Sequence, residues 1–232
     1  IEQESSGIAF SLLAKAAAEL SDRYRQQQKA DRFMTTDAHR LAYLAVRMPA
    51  TFAAVSKAME SVRNLMPDFQ PESLLDLGAG TGAAAWAAVE AFALLRQITL
   101  IEQDGKLIEL GRKLFHEAAQ EALRSATWKI ANLTGSCEFQ SHDVVISSYS
   151  LGEIDPVSAG KIIKAAWQAA EHLLIVVEPG TMKGFATIRA VRDQLIEAGA
   201  FLVAPCPHSN ACPMPTDETD WCHFSARVEI GR

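Results

Sequence analysis

The chain has 232 residues, of which 49% are hydrophobic and 22% are charged, and its formal net charge is −6 at pH 7. This apolar content excludes a disordered chain, and no apolar run reaches the roughly 20 residues that a membrane-spanning helix needs. Four cysteines are too few for a disulfide scaffold, so they indicate a reducing compartment. The acidic balance argues against indiscriminate nucleic-acid binding.

The sequence predicts that residues 1–70 form a helical segment, which we call the leader. Residues 8–29 carry apolar side chains at helical spacing. Thr35 or Thr36 can cap a second helix, and Pro49 suits the first turn of a third. Within this leader, basic side chains outnumber acidic ones, unlike in the rest of the chain. The basic positions are Arg23, Arg25, Lys29, Arg32, Arg40 and Arg47. They form either a solvated helix face or a surface that contacts phosphates.

From Ser73 onward, strands and helices alternate, which predicts an α/β fold with a doubly wound, mainly parallel sheet. The predicted strands are 74–77, 98–101, 127–130, 143–148, 172–177, 201–204 and 222–230. The predicted helices are 83–95, 106–122, 157–170 and 185–198. We expect the last strand to run antiparallel to the others. The chain then divides into the leader, a cofactor-binding domain at 71–205, and a cysteine-rich loop with the final strand of the same sheet at 206–232.

A glycine-rich turn, LLDLGAGTGA at 74–83, stands between the first predicted strand and the helix after it. Glycines there let the backbone turn tightly and approach a ligand closely. Gly78, Gly80 and Ala83 fit the dinucleotide fingerprint in its G-x-G-x-x-A form. Asp76, two residues before Gly78, favours S-adenosylmethionine (SAM) instead, because a carboxylate can hold the cationic amino-acid end of a cofactor that has no pyrophosphate. The leader and the expected antiparallel strand also favour SAM.

The loops after the next two strands supply further candidates. Glu102 ends the second predicted strand, where an acid can accept both ribose hydroxyls, and Asp104 is a weaker choice for that role. Asn132 follows the third strand, and its carbonyl oxygen can contact an adenine amino group. The predicted cofactor-binding residues are Asp76, Gly78, Ala79, Gly80, Gly82, Glu102, Asn132 and Ser148.

The loop after the fourth predicted strand offers little acceptor chemistry. It lacks the Asn/Asp-Pro-Pro-aromatic motif typical of methyltransferases that act on exocyclic amines. It also lacks the cysteine that would attack a cytosine ring to make 5-methylcytosine. Tyr149 and Glu153 either orient an acceptor or pack the loop, so the sequence identifies no catalytic residue.

Three cysteines, Cys206, Cys212 and Cys222, fall within 17 residues of a proline-rich segment. Soft thiolates in a reducing compartment select Zn²⁺ or an iron–sulfur cluster. Their C-x5-C-x9-C spacing differs from the paired C-x2-C knuckles of a zinc ribbon. A four-coordinate site needs one more ligand, for which the candidates are His208, His223, Cys137 or a residue beyond Arg232.

Together these residues resemble the methyltransferase-like family associated with the mitochondrial small ribosomal subunit, and its bacterial relatives. The matching segments are 47–51, 75–82, 148–153, 178–181, 204–213 and 221–225. The resemblance implies a Rossmann-like class I methyltransferase fold, binding to the small subunit or its rRNA, and a four-iron (4Fe-4S) cluster. Cys206, Cys212 and Cys222 match three of the family's cluster cysteines, and the fourth is expected downstream of Arg232.

Three functions follow as hypotheses. The first is an SAM-dependent methyltransferase that acts on the rRNA of the small ribosomal subunit. The second is a non-catalytic assembly or binding factor of that subunit, which the missing acceptor motif favours. The third is a small-molecule methyltransferase. We expect a bacterial protein of the cytoplasm, or a protein of the mitochondrial matrix if the source is eukaryotic, and no association with membranes.

Overall fold

Five parallel strands form the sheet of this protein, in the order β3-β2-β1-β4-β5. The computed structural model describes residues 12, 15–19, 36–135, 138–214 and 220–228. The strands are β1 (Ser73–Leu77), β2 (Gln97–Glu102), β3 (Thr127–Ile130), β4 (His142–Ser148) and β5 (Ala170–Val177). All five were predicted within two residues of these bounds. Four of them are short apolar runs between turn signals, and β3 (TWKI) is a weaker pattern of the same length. Their carboxyl ends share one edge of the sheet, where ligands bind in open α/β folds.

Helices cover both faces of this sheet, so the predicted doubly wound architecture is confirmed. Neighbouring residues of a strand point to opposite faces: Leu74 packs in one core and Leu75 in the other. The helices after the leader are α3 (Ala83–Ala91), α4 (Gly105–His116), α5 (Glu121–Arg124), α6 (Pro156–Ala169) and α7 (Met182–Glu197). Helices α3 to α5 pack on the Leu74 face, and α6 and α7 on the Leu75 face.

One predicted helix, 106–122, is wrong as a single element. The helix ends at His116, and a second short helix begins at Glu121. The break lets Phe115 and Leu123 enter the same core, with 2% and 1% of their surfaces exposed. Packing against the sheet therefore overrides local helix propensity here.

The leader contains one unbroken helical stretch from Asp37 to Leu65. It consists of α1 (Asp37–Ala42), a π-helical turn (Tyr43–Arg47) and α2 (Met48–Leu65). Thr36 caps α1, its hydroxyl accepting a hydrogen bond from the His39 amide at 3.2 Å, as predicted. Pro49 lies in the first turn of α2, also as predicted. Since proline lacks an N–H and its ring crowds the carbonyl four residues earlier, a wider π-turn before it relieves that contact.

Only part of the first predicted helix falls in the described residues. Residues 15–19 are helical. They pack on α1 through Ala16 against Ala42, and the Glu19 carboxylate lies 2.9 Å from Nε2 of the buried His39. The remainder of 8–29 lies outside the described residues, as do Arg23, Arg25, Lys29 and Arg32.

The strands predicted at 201–204 and 222–230 are wrong for the described residues 201–204 and 222–228, which form no strand. In this segment Pro205, Pro207 and Pro213 provide no amide hydrogen for pairing. Phe201 and Phe224 are 91% and 70% exposed, so these side chains contribute little to a core. The expected antiparallel last strand is therefore absent from the described part of the sheet.

Among the described residues, no helix combines the length and the apolar character needed to cross a membrane.

Candidate functional site

The glycine-rich turn joins β1 to α3 at the carboxyl edge of the sheet, between the ends of β2 and β4. Gly78, Gly80 and Gly82 have φ angles of +73°, +58° and +87°. Residues that carry a side chain rarely adopt such backbone angles, so this turn requires glycine. The predicted strand–turn–helix context of the motif is thereby confirmed.

The backbone amides of this turn point into the protein. The amides of Gly78 and Ala79 both donate to the Ile101 carbonyl, at 2.9 and 3.0 Å. The Gly80 amide donates to Oε2 of Glu102 at 2.8 Å, and that of Gly82 to the Ala79 carbonyl. A pyrophosphate is held by amides that point outward from such a turn. This arrangement, with two carboxylates beside it, argues against the dinucleotide alternative.

Asp76 is the most unusual group of the site. It is fully buried at the end of β1, and neither carboxylate oxygen has a hydrogen-bond partner among the described residues. Burial, together with the nearby charge of Glu102, raises its pKa to about 8. A buried acid without partners is costly to a fold, and a cationic group that reaches it would remove that cost.

Glu102 is tied to its own loop. Besides the Gly80 amide, its carboxylate accepts hydrogen bonds from the amides of Gln103 and Asp104, at 2.8 and 2.9 Å. Asp104 caps α4 through the Lys106 amide. Oε1 accepts from two amides and Oε2 from one, so Oε2 retains one acceptor site for the predicted ribose contact. The observed contacts hold the glycine turn in place.

The loop after β3 places Leu133, rather than Asn132, beside the glycine turn. A Cβ on Gly78 would lie 3.7 Å from Cδ1 of Leu133, which is 9% exposed. Oδ1 of Asn132 instead accepts hydrogen bonds from the amide and hydroxyl of Thr134, at 2.9 and 2.8 Å. The sequence missed Leu133 because an apolar loop residue carries no motif signal.

Gly82 has a packing role. A Cβ at this position would lie 2.5 Å from Cζ of Phe115, on the core side of the turn. Its lack of a side chain allows α3 and α4 to approach the sheet closely. Gly80 is different, because a Cβ there would lie 2.6 Å from Oη of Tyr43 in the leader. No sequence pattern indicated this contact of Tyr43.

The expected acceptor loop lies next to the site, after β4. Ser148 is buried at the end of β4, and the Tyr149 amide donates to the Val177 carbonyl of β5 at 2.8 Å. Tyr149 has a φ of +58°, a strained conformation for an aromatic residue. Glu153 ends a short 3₁₀ turn, Leu151–Glu153.

Glu178, which follows β5, holds that 3₁₀ turn. Its Oε1 accepts a hydrogen bond from the Leu151 amide at 3.0 Å. Burial raises the pKa of Glu178 to about 7, although the amides of Leu151 and Gly152 and the charge of Lys183 favour its ionised form. The burial of Tyr149 likewise raises its own pKa, and the charge of Glu178 raises it further. No role for Glu178 was predicted from the sequence.

The structure brings the three predicted metal-binding cysteines into one neighbourhood. All three are free thiols. Burial raises the pKa of Cys222, and the nearby thiols of Cys206 and Cys212 raise it further. Two contacts position the segment: Nε1 of Trp221 donates to the Gly180 carbonyl at 3.1 Å, and the buried Arg192 guanidinium donates to the carbonyls of His208 and Asn210.

This donor set fits a thiophilic metal, because three soft ligands lie close together on a proline-rich rim. In the described part of the chain, one group of three potential ligands lies with all its ligand atoms within 4.8 Å: Asp143, Glu171 and His172, at the amino edge of the sheet. The three thiols are not gathered as tightly. Cys137 lies outside the described residues.

Comparison with known proteins identifies the family. Residues 37–232 match the family model described as mitochondrial small ribosomal subunit Rsm22. The chain belongs to the Rsm22 family. The human protein named ribosome assembly protein METTL17, mitochondrial, is 32% identical over 204 residues, which cover 82% of this chain and 44% of that protein. The fission yeast Rsm22-cox11 tandem protein 2, mitochondrial, is 25% identical over 77% of this chain and 26% of that protein.

The chain thus spans less than half the length of these Rsm22-family relatives. Among solved structures, the plantazolicin methyltransferase BpumL in complex with SAH matches with a TM-score of 0.52. It is 12% identical and covers 76% of this chain and 66% of its own. This likeness shows the class I methyltransferase fold that the sequence predicted.

Proposed function

We propose that this Rsm22-family chain binds SAM at the glycine-rich turn and acts on the rRNA of the small ribosomal subunit as a methyltransferase. The observation that carries the cofactor proposal is the Asp76 carboxylate, fully buried and without a hydrogen-bond partner among the described residues. The ammonium group of SAM is the complement of this carboxylate, and an inward-facing set of turn amides leaves no phosphate cradle.

SAM supplies an electrophilic methyl group when it is bound. The residues of this chain would orient it: Asp76 toward the amino-acid end, Glu102 toward the ribose, and Leu133 against the adenine. Gly80 allows close approach of the backbone. Asn132 and Ser148 remain predicted contacts, and so do the backbone contacts of Gly78 and Ala79. Gly82 supports the turn by its packing.

The ribosomal proposal rests on family membership and on the human relative, which is a ribosome assembly protein. A second function, a non-catalytic assembly factor, is favoured by one observation. The Glu178 carboxylate beside the acceptor loop already holds the Leu151 amide, so it serves the loop and not an acceptor.

The experiment that tests the cofactor proposal is binding of SAM to the wild-type protein and to Gly80→Arg. We expect wild-type binding at micromolar concentrations and none by Gly80→Arg. An arginine side chain at this position would fill the space over the turn, where an added Cβ already lies 2.6 Å from Oη of Tyr43. Gly199→Arg is the matched control, because Gly199 also has a positive φ but nothing within 4 Å of an added Cβ. Equal binding by wild type and Gly80→Arg would contradict the proposal.

Co-sedimentation tests the partner. The wild-type protein should sediment with small ribosomal subunits and should lose this association as salt increases, as contacts to phosphates require. Failure to associate at low salt would contradict the ribosomal proposal and favour a small-molecule acceptor.

We further propose that Cys206, Cys212 and Cys222 hold a four-iron cluster, with Zn²⁺ as the alternative. Protein purified without oxygen should be brown and contain iron and sulfide, and Cys212→Ser should lose both. Stoichiometric zinc without iron would contradict the cluster. Free thiols suit a reducing compartment, so the proposed location is the bacterial cytoplasm, or the mitochondrial matrix if the source is eukaryotic.

A further inference from the structure

One face of the leader lies across the entire candidate cofactor site. Arg40, Tyr43 and Arg47 follow one another at spacings of three and four residues, which places them on the same side of a helix. We call residues 40–47 the roof segment. It ends at the π-helical turn, closed by a hydrogen bond from the Met48 amide to the Tyr43 carbonyl. Short π-helical insertions occur frequently at functional sites.

Each of the three roof side chains faces a different loop at the carboxyl edge. Nε of Arg40 donates to Oδ2 of Asp104, after β2, at 3.3 Å. Oη of Tyr43 lies above Gly80, after β1, at the place where a Cβ would be 2.6 Å away. Arg47 lies close enough to Tyr149, after β4, for its charge to favour the ionised phenol. The segment therefore spans the loops of all three central strands.

The roof segment is also firmly attached to the domain. Leu44 and Met48, 0% and 7% exposed, form a small core with Ala83 at the start of α3. Trp86 and Leu114 pack against the same core. The attachment lies beside the cofactor site, so a movement of this short segment would change access to the glycine turn.

Among the described residues, both the acid and the glycine turn are covered. Asp76 has no exposed surface, and the Tyr43 hydroxyl occupies the approach to Gly80. A ligand that contacts the backbone at Gly80 therefore requires Tyr43 to move away from the turn. The buried Asp76 carboxylate has no hydrogen-bond partner among the described residues. It would gain one only when this movement has admitted a cationic ligand.

We propose that the roof segment gates the cofactor site: it opens to admit SAM, or another nucleoside with a cationic amino-acid tail, and closes with Tyr43 against the bound ligand. The Arg40–Asp104 ion pair and the packing of Leu44 both hold it closed. This inference rests on the proposed cofactor. Its consequence is kinetic, because the apparent association rate is reduced by the fraction of molecules that are open.

The test is stopped-flow binding of SAM to the wild-type protein, Arg40→Gln and Tyr43→Ala. Arg40→Gln removes the ion pair without changing a group that faces the ligand, and we expect it to raise the association rate constant at least threefold. Tyr43→Ala should raise both the association and the dissociation rate constants. Arg96→Gln is the matched control, because it breaks a similar ion pair with Glu72 at the opposite edge of the sheet.

The outcomes separate the gate from the cofactor. Binding by the two roof variants but not by the wild type supports a closed gate. A faster dissociation with an unchanged association rate would mean that the segment only contacts the ligand, and it would overturn the gate. Equal rates in all four proteins would overturn the gate while the cofactor proposal stands. Absence of binding by every protein would overturn both.

Discussion

The buried Asp76 carboxyl predicts that SAM binding strengthens as pH rises toward 8. With a pKa of about 8, roughly nine-tenths of the free protein carries a protonated Asp76 at pH 7. Binding the cofactor ammonium requires the ionised form, so complex formation should release close to one proton at this pH. The affinity should then increase about tenfold from pH 6 to pH 7, one pKa unit being a factor of ten. An α-amino group, with a reference pKa of about 7.7–8.0, is still mostly charged at pH 7.

The assay is isothermal titration calorimetry at pH 6.0, 6.5 and 7.0, in buffers of different ionisation enthalpy so that released protons are counted. Asp76→Asn should bind more weakly and without this pH dependence. Glu178→Gln is the control, because Glu178 also titrates near pH 7 but holds the acceptor loop. Its pH dependence should match the wild type. An affinity that stays constant from pH 6 to pH 7 would refute the pairing of Asp76 with the cofactor.

The same acid has a consequence for stability without ligand. Because the pKa of Asp76 is raised on folding, the folded state binds more protons than the unfolded state between pH 4 and pH 8. The free energy of unfolding should therefore decrease as pH rises through this window, by at most on the order of 5 kcal/mol. In urea denaturation, Asp76→Asn should have a smaller decrease than the wild type, and an unchanged pH profile would contradict the buried acid.

Three further predictions concern neighbouring residues. Gly80→Ala should lower the melting temperature more than Gly199→Ala. Both substitutions place alanine at a positive φ, but only the added Cβ at position 80 would meet Tyr43. Equal shifts would contradict the contact. Glu178→Gln should flatten the decline of stability from pH 5 to pH 7 that its raised pKa produces, and an unchanged slope would refute that origin. Leu44→Ala should cost about 2–5 kcal/mol in urea denaturation, since Leu44 is the fully buried side chain by which the roof segment packs against Ala83, and a loss below 1 kcal/mol would show that the leader is loosely attached.

The parallel sheet was predictable because strand-like segments alternate with helical ones, and because the glycine-rich turn directly follows β1. Asp76 and Glu102 were found in the same way, since the ends of β1 and β2 must lie together in a parallel sheet. The Thr36 cap followed from local hydrogen bonding alone. These features depend on neighbours in the sequence or on rules that hold for every sheet of this class.

The features that the sequence did not reveal depend on contacts between distant segments. Tyr43 reaches Gly80 across 37 positions, and no local pattern marks a helix that covers a turn so far away. Leu133 and Glu178 have their positions because of the loops they meet. The strands expected at 201–204 and 222–230 have a strand-like sequence, an apolar run in the first and alternation in the second, but neither pattern supplies a partner strand. Tertiary context decided each of these cases.

Methyl transfer is tested most directly with a labelled methyl group on SAM and small ribosomal subunits prepared from cells that lack this protein. We predict label in the rRNA with the wild-type protein and none with Gly80→Arg, whose cofactor turn would be blocked. Unlabelled rRNA, from a wild-type protein that binds both SAM and the subunit, would contradict methyl transfer and identify the chain as a cofactor-binding assembly factor.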